Sequence, residues 1–457
     1  MAFAGCLGGT LHGQEWPRFR GPNGAGVAVG GRLPADLAAD GVTAWRTPVA
    51  GARSSPVLDD GHVFVTAAAE EGSAVLCLSR EDGSVVWSRR FARARHAERH
   101  ELNDPASPTP AVDEGSVYAF FPELGVVALD KIDGRQRWLH ALAPLNNQYG
   151  MASSPIVAGD SVVLLCDQVA DSFLLALDAE TGDVRWQRPR PAMTGGWSTP
   201  VLFPSGTDPT NIITFGCVIA HGYDLETGDV LWNVGGLGWP VSSPVIHGDR
   251  LLCCAAVAAE YPVPSFAAIA AGYDRDADGK IASDELHHDI LRHYFARTDR
   301  DGDRFLTQPE WDGARASLFR DDVGLVAFAL NGAAPREAWR VSRSPSMVAT
   351  PLVYREVAYM IKSGGILTTI DADTGEVLQR RRIAGAMGEF YASPVAGDGK
   401  VYVCNTDGRV FVLAAGREPE VLSTHDLGEP IFATPAIGND GSLFLRTADA
   451  LYCFRAR

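Results

Sequence analysis

From Asp274 to Glu285 the chain reads DRDADGKIASDE, with carboxylates at the first, third, fifth and twelfth positions and glycine at the sixth. That set suits a hard divalent cation. Calcium takes six to eight oxygens at about 2.3–2.6 Å, and a twelve-residue loop can supply most of them. Asp274, Asp276 and Asp278 offer carboxylates, Lys280 its backbone carbonyl, and Glu285 both oxygens of its side chain. Gly279 permits the sharp turn, and Ala282 leaves the ninth position to water. A second loop follows, with Asp299, Asp301 and Asp303 as carboxylates, Phe305 giving a carbonyl and Glu310 closing it. Arg304 stands there where glycine is expected. A non-glycine residue in that left-handed conformation costs about 1 kcal/mol, so the second loop is expected to bind more weakly.

Tandem loops of this kind read as an EF-hand pair, which needs helices on either side. Helical patterning does take over from 255 to 322, and Leu286–Arg297 is long enough for one helix joining the loops. Ile281 and Leu306 hold equivalent positions and are expected to pair between them. This stretch interrupts a different pattern that fills the rest of the chain.

That pattern is a repeat of about 45 residues. A small residue, then Ser or Thr, then Pro opens it eight times: Ser54-Ser55-Pro56, Ala106-Ser107-Pro108, Ser153-Ser154-Pro155, Ser198-Thr199-Pro200, Ser242-Ser243-Pro244, Ala349-Thr350-Pro351, Ala392-Ser393-Pro394 and Ala433-Thr434-Pro435. Several units close on Gly-x-x-x-Trp: Gly83/Trp87, Gly134/Trp138, Gly182/Trp186 and Gly228/Trp232. Between opening and close lie short apolar runs and tight turns. In the unit Ser153–Trp186 the strands are expected near Pro155–Val157, Ser161–Cys166, Phe173–Asp178 and Asp183–Trp186. Four short strands per unit make a β-propeller blade, with the Trp placed to pack between neighbours. The expected fold is all-β: an eight-bladed propeller carrying the α-helical insertion in its fifth blade.

The ends fit a closed ring. Asp40–Trp45 repeats the closing turn and last strand with nothing before it, whereas Ala433–Phe454 supplies three strands and no fourth. The N-terminal strand should therefore complete the last blade and remove the open edge. The domain boundaries that follow are 1–15 (a signal-peptide remnant or disordered leader), 16–254 and 323–457 (propeller), and 255–322 (insertion). The segment Trp16–Gly26 reads as a polar, turn-rich entry.

Innermost strands follow the connections between blades, so residues just before the opening triplets gather at one mouth of the axial channel. Tyr149, Trp197, Trp239, Tyr391 and Phe432 sit there, with Arg53, Asn103 and Asn147, as a candidate ligand-binding funnel or as packing of a crowded axis. The insertion leaves from a connection on the same face and is expected over or beside that mouth. In the basic loop Phe91–Asp104, His96, Glu98 and His100 lack the order of a zinc motif and read as solvated.

A net charge of −16 argues against a nucleic-acid partner, and no apolar run is long enough to cross a membrane. Cys77, Cys166, Cys217, Cys253, Cys254, Cys404 and Cys453 fall in or beside apolar runs, as buried thiols do. Phe3-Ala4-Gly5-Cys6 is similar to a bacterial lipobox, and calcium loops on an acidic propeller suit an exported, periplasmic or envelope protein, with lipoprotein anchoring as one form.

The triplet and the Thr-Gly-x-x-x-Trp closure resemble the PQQ-like β-propeller repeat family over residues 40–454 outside the insertion, and Trp16–Pro22 looks like the opening of planctomycete-type members. The family includes pyrroloquinoline-quinone (PQQ) dehydrogenases and the non-enzymatic BamB lipoprotein. The resemblance to the dehydrogenases would imply an axial quinone with calcium, Glu, Asn and a catalytic Asp, often beside a vicinal disulfide. Cys253-Cys254 is vicinal but lies in a strand run, and no Glu/Asn/Asp set can be placed. The expectation is a non-catalytic, calcium-binding, BamB-like scaffold for an unknown protein partner, with envelope-assembly components as the candidate class. A PQQ-dependent oxidoreductase is the alternative, and a carbohydrate or small-ligand binder a second.

Overall fold

In the computed structural model the described residues are 15–457, apart from 52, 70–71, 97–98, 148, 170, 191–192, 194, 207, 217, 240, 256–264, 287–294, 296–297, 300–301, 313–321, 333 and 344. Each repeat folds as a four-stranded antiparallel meander, here strands A to D from the axis outward. Blade three has A at Ile156–Ala158, B at Ser161–Cys166, C at Phe173–Asp178 and D at Val184–Pro189. Strand B is buried at every position, whereas D buries only Trp186 and is otherwise exposed or half-buried. That contrast is physical: inner strands pack against neighbouring blades on both faces, and the outer strand meets water on one.

Eight such sheets occur among the described residues. Their A strands are Val57–Leu58, Ala111–Val112, Ile156–Ala158, Val201–Phe203, Val245–His247, Leu352–Tyr354, Val395–Gly397 and Ala436–Ile437, which number blades one to eight. Blade eight takes its D strand from the other end of the chain: Thr43–Pro48 pairs antiparallel with Ala450–Phe454. The expected eight blades and N-terminal closure are what the structure has.

The closing Trp locks one blade to the next. A β-bulge in strand D puts Trp186 opposite Ala176, and its Nε1–H donates to the Leu225 carbonyl of blade four at 3.2 Å. Its ring lies on Gly228, where a Cβ would come within 2.6 Å. Trp45, Trp87, Trp138 and Trp339 make the same contact with Arg80, Lys131, Ala179 and Ala372 of their neighbours. Trp232 turns instead toward Gly222 of its own blade. Strand D of blade seven has Ser423 in place of Trp, and the N-terminal chain packs there: Ser423 Oγ donates to the Ala35 carbonyl, and Tyr402 Oη to that of Pro34, both at 2.6 Å.

The middle residue of the opening triplet also has a structural role. Its backbone N–H donates to the hydroxyl of the equivalent residue in the next blade: Ser55 to Thr109, then Ser154, Thr199, Ser243, Thr350, Ser393, Thr434 and back to Ser55, at 2.9–3.1 Å. The result is a closed ring of hydrogen bonds around the axis. Blade two enters it through Pro108-Thr109-Pro110, not through Ala106-Ser107-Pro108. The sequence there holds two Ser/Thr-Pro steps, and the first makes a local turn in which Ser107 bonds Asp104.

The entry segment, polar and turn-rich in sequence, is largely packed away in the structure. Trp16 and Arg20 are fully buried and Arg18 is 5% exposed. Inner-edge strands leave peptide groups unpaired, and this segment pairs them. Trp16 bridges Leu58, Pro17 accepts from Val112, and Gly26 and Ala28 flank Ala396. Arg20 donates to the carbonyls of Thr350, Pro351 and Pro394. The segment thus crosses the axis on the A–B side of the ring.

Candidate functional site

Two places bring chemistry-bearing residues together. The first is the insertion, which joins strands Arg250–Cys254 and Leu325–Ala329 of blade five, a B–C connection. Both flanking segments, 256–264 and 313–321, lie outside the described residues, as does most of the expected helix Leu286–Arg297. A helix over Phe266–Tyr273 opens with Ser265, whose Oγ accepts from the Ala268 amide, and ends at Asp274. Phe266, Ile269, Ile281, Leu286, Phe295, Leu306 and Trp311 form a core separate from those of the blades. Ile281–Ala282 pairs antiparallel with Phe305–Leu306, so the two loops lie back to back.

In the first loop Asp274, Asp276 and Asp278 place carboxylate oxygens within 4.8 Å of one another. Backbone amides hold them: Asp274 accepts from Asp278 and Gly279, and Asp278 from Lys280. Glu285 accepts from the amides of Ala282 and Arg275, each at 2.8 Å, and those bonds hold its pKa below the usual carboxylate range. The second loop repeats the plan. Asp299 accepts from Gly302 and Arg304, Asp303 from Phe305, and Glu310 from Thr307. Asp301 lies outside the described residues. Arg304 has φ 70°, the left-handed conformation expected where glycine is missing. This convergent, all-oxygen donor set fits a hard cation.

The second place is the channel mouth on the B–C and D–A side. The aromatic residues fall into two groups. Tyr149 meets Trp197 edge-on at 5.5 Å and His100 at 5.3 Å. Tyr391 stacks on Phe432 at 6.1 Å, and the Arg53 guanidinium lies 4.2 Å from the Phe432 ring. The loop after strand D of blade one ties the groups together: Arg53 donates to the Leu102 and Glu101 carbonyls, and Asn103 to that of Tyr149. Trp197 Nε1–H is shared between Asn147 Oδ1 and the Gly150 carbonyl. Trp239 is half-buried, near Gly195. The rim thus holds two ring clusters joined through residues 101–103, with Tyr149 44% exposed. His96 is exposed, and His100 Nδ1 accepts from the Leu102 amide.

Beneath the rim lie groups that sequence reasoning missed. Glu123 and Asp167 are the only buried carboxylates among the described residues. Glu123 pairs with Arg93 and Arg99 at 3.1 and 2.9 Å, beside a pocket lined by Asn103, Asn147 and Met151. Asp167 is gripped by Arg190 through both oxygens, at 2.7 and 3.0 Å, with Thr214 and Tyr223 completing the guanidinium's shell. Nothing in their spacing marks these pairs, because each partner comes from a different connection. Cys253 and Cys254 are separate, buried thiols, and burial pushes Cys254 up to about 12. A calcium-held quinone needs a carboxylate turned to the axis, and the two buried ones are committed to arginines. These donors do not fit that group.

Eight blades, five of them locked to the next by Trp on glycine, with inner strands opened by Ser/Thr-Pro, define a PQQ-like β-propeller. The chain belongs to the family of the outer membrane protein assembly factor BamB, which it matches over residues 24–200 and 297–457. Among curated proteins it is similar to the quinohemoprotein alcohol dehydrogenase ADH-IIG of Pseudomonas putida, 26% identical over 141 residues. That match spans 30% of this chain and 19% of the dehydrogenase. Among solved structures, BamB from Moraxella catarrhalis superposes with a TM-score of 0.57 at 14% identity, covering 90% of this chain and 98% of that one. A europium-containing methanol dehydrogenase gives 0.62 at 10%, covering 96% and 91%. Quinohemoprotein alcohol dehydrogenase from Comamonas testosteroni gives 0.59 at 13%, covering 97% and 81%. At these identities the structures share the fold alone.

Proposed function

We propose that the protein is a calcium-binding propeller scaffold of the bacterial envelope that docks a protein partner on its B–C and D–A face. The observation that carries this is the rim itself. Aromatic residues and arginine dominate protein-binding hot spots, and here they form two neighbouring clusters on one face, with rings held in place by neighbours and partly open to water. Family membership supports the setting, since the BamB family is described by outer-membrane assembly. The insertion's loops are read as an EF-hand pair whose bound calcium stabilises that domain.

The test is capture from envelope extracts by the parent chain and by Tyr149→Ala/Phe432→Ala, with equal melting curves checked first. Specific proteins retained by the parent and lost by the variant support the scaffold. The same proteins retained by both would remove the rim from the account.

A quinone-dependent oxidoreductase is the competing reading, favoured by the partial match to the Pseudomonas putida dehydrogenase. The committed state of Glu123 and Asp167 weighs against it. Titration of the calcium-loaded chain with PQQ, followed by Trp fluorescence, separates the two. Saturable binding that survives Glu285→Gln/Glu310→Gln would favour the enzyme.

A further inference from the structure

The ring of Ser and Thr hydroxyls carries more donors than the fold uses. Each of the eight hydroxyls accepts a backbone N–H from the preceding blade. Not one of them donates its own O–H to an acceptor among the described residues, although all are buried. Eight polarised O–H groups are therefore left around a single axis.

Two guanidinium groups lie against this ring. Arg18 Nη2 donates to the carbonyl of Pro200, the residue after ring member Thr199. Arg20 Nη1 donates to the carbonyl of ring member Thr350 at 3.0 Å. Neither has a carboxylate within ion-pair distance among the described residues. Arg20 spends its donors on carbonyls, but Arg18 Nε and Nη1, at 5% residue exposure, have no hydrogen-bond partner. Burial pushes both guanidinium groups toward lower pKa. Guanidinium nevertheless stays protonated at neutral pH, so a buried positive charge here needs a counter-ion or a heavy desolvation cost.

We propose that the axis between Arg18 and the hydroxyl ring binds a small inorganic anion of halide type. The anion accepts from Arg18 Nε and Nη1 and from ring hydroxyls nearby, and it neutralises a charge that the protein otherwise leaves bare. The nearby carbonyls of Pro200, Thr350, Pro351 and Pro394 already accept from the two arginines, so the groups left over are donors, which suits an anion. The entry segment closes the A–B side, so the ion reaches the site from the mouth or is trapped on folding. This site is independent of the insertion and of the docking rim.

The probe is bromide. Crystals of the unaltered chain grown in bromide, with data collected at the bromine edge, should show an anomalous peak on the axis beside Arg18. In solution, chloride raised at constant ionic strength against gluconate should give a saturable upward shift in melting temperature. Arg18→Gln should lose that shift, and Arg417→Gln, an exposed control, should keep it. Water alone on the axis, bromide peaks only on the outer surface (an adventitious ion only), or an equal chloride shift in Arg18→Gln would each overturn the proposal. The diffraction result needs no variant, so it decides the matter even if Arg18→Gln does not fold.

Discussion

Arg20 places its guanidinium donors on backbone carbonyls, from Gly24 at 3.0 Å to Pro351 at 2.9 Å. It therefore serves as a clamp between the entry segment and blades six and seven. Replacing it by Leu leaves buried carbonyls unpartnered, at about 1–3 kcal/mol each. We expect Arg20→Leu to lose about 3 kcal/mol or more, read as a lower urea midpoint. Asp167→Asn tests a second buried arginine, Arg190. It leaves Arg190 charged without its carboxylate, and breaking such a pair costs about 3–5 kcal/mol. These residues were the least legible in the sequence. Trp16–Gly26 is rich in turn residues and arginine, which ordinarily face water, and its partners lie hundreds of positions away. The mouth aromatics were legible because each falls shortly before a triplet, Trp197, Tyr391 and Phe432 directly so. Their pairing was not, since it depends on a loop, His100–Asp104, that reads as solvated.

At the scale of elements, the C–D turns and the inserted loops make separate predictions. Asp178 caps its turn by accepting from the Glu180 and Thr181 amides and from Arg185, and the Arg185 bond leads in pulling its pKa down to about 2. The folded value lies below the unfolded value of about 3.9, so the turn's contribution is present above pH 4 and is lost as pH falls through about 2. A carboxyl titration followed by NMR should show that depressed value, and Arg185→Gln should raise it. For the insertion, calcium should raise the melting temperature of the parent chain and should do so less in Glu285→Gln. Arg304→Gly should relieve about 1 kcal/mol of backbone strain, tightening the second loop about fivefold in a calcium titration. The repeat elements were readable because apolar runs, turn glycines and the Trp recur in step. Blade two was read one dipeptide early because Ser107-Pro108 and Thr109-Pro110 both satisfy the pattern, and only the ring geometry distinguishes them.

For the whole molecule, closure depends on residues from both ends of the sequence. Removing residues 16–31 should expose the inner edges of several blades at once, while leaving the Thr43–Pro48 strand in place. We expect a broad loss of stability, with a lower melting temperature and increased dye binding to exposed apolar surface. Loss confined to blades seven and eight, mapped by hydrogen exchange, would show that the segment acts only locally. The number of blades and the mode of closure were visible in advance, since an unaccompanied last strand at one end and a missing one at the other have one economical solution. The hydroxyl ring was visible only as a recurring Ser/Thr, without a reason for it.

The position of strand Thr43–Pro48 also sets an order of events. During synthesis this strand emerges long before its partner Ala450–Phe454, with all the intervening blades made in between. The same holds for Val27, whose neighbour is Ala396. Trp16 and Pro17 can meet Leu58 and Val112 early, but Thr43–Pro48 and Val27 must stay unpaired, without pairing wrongly, until much later. The early blades can stack as they appear, but the circle closes only once Ala450–Phe454 has arrived to meet the waiting Thr43–Pro48.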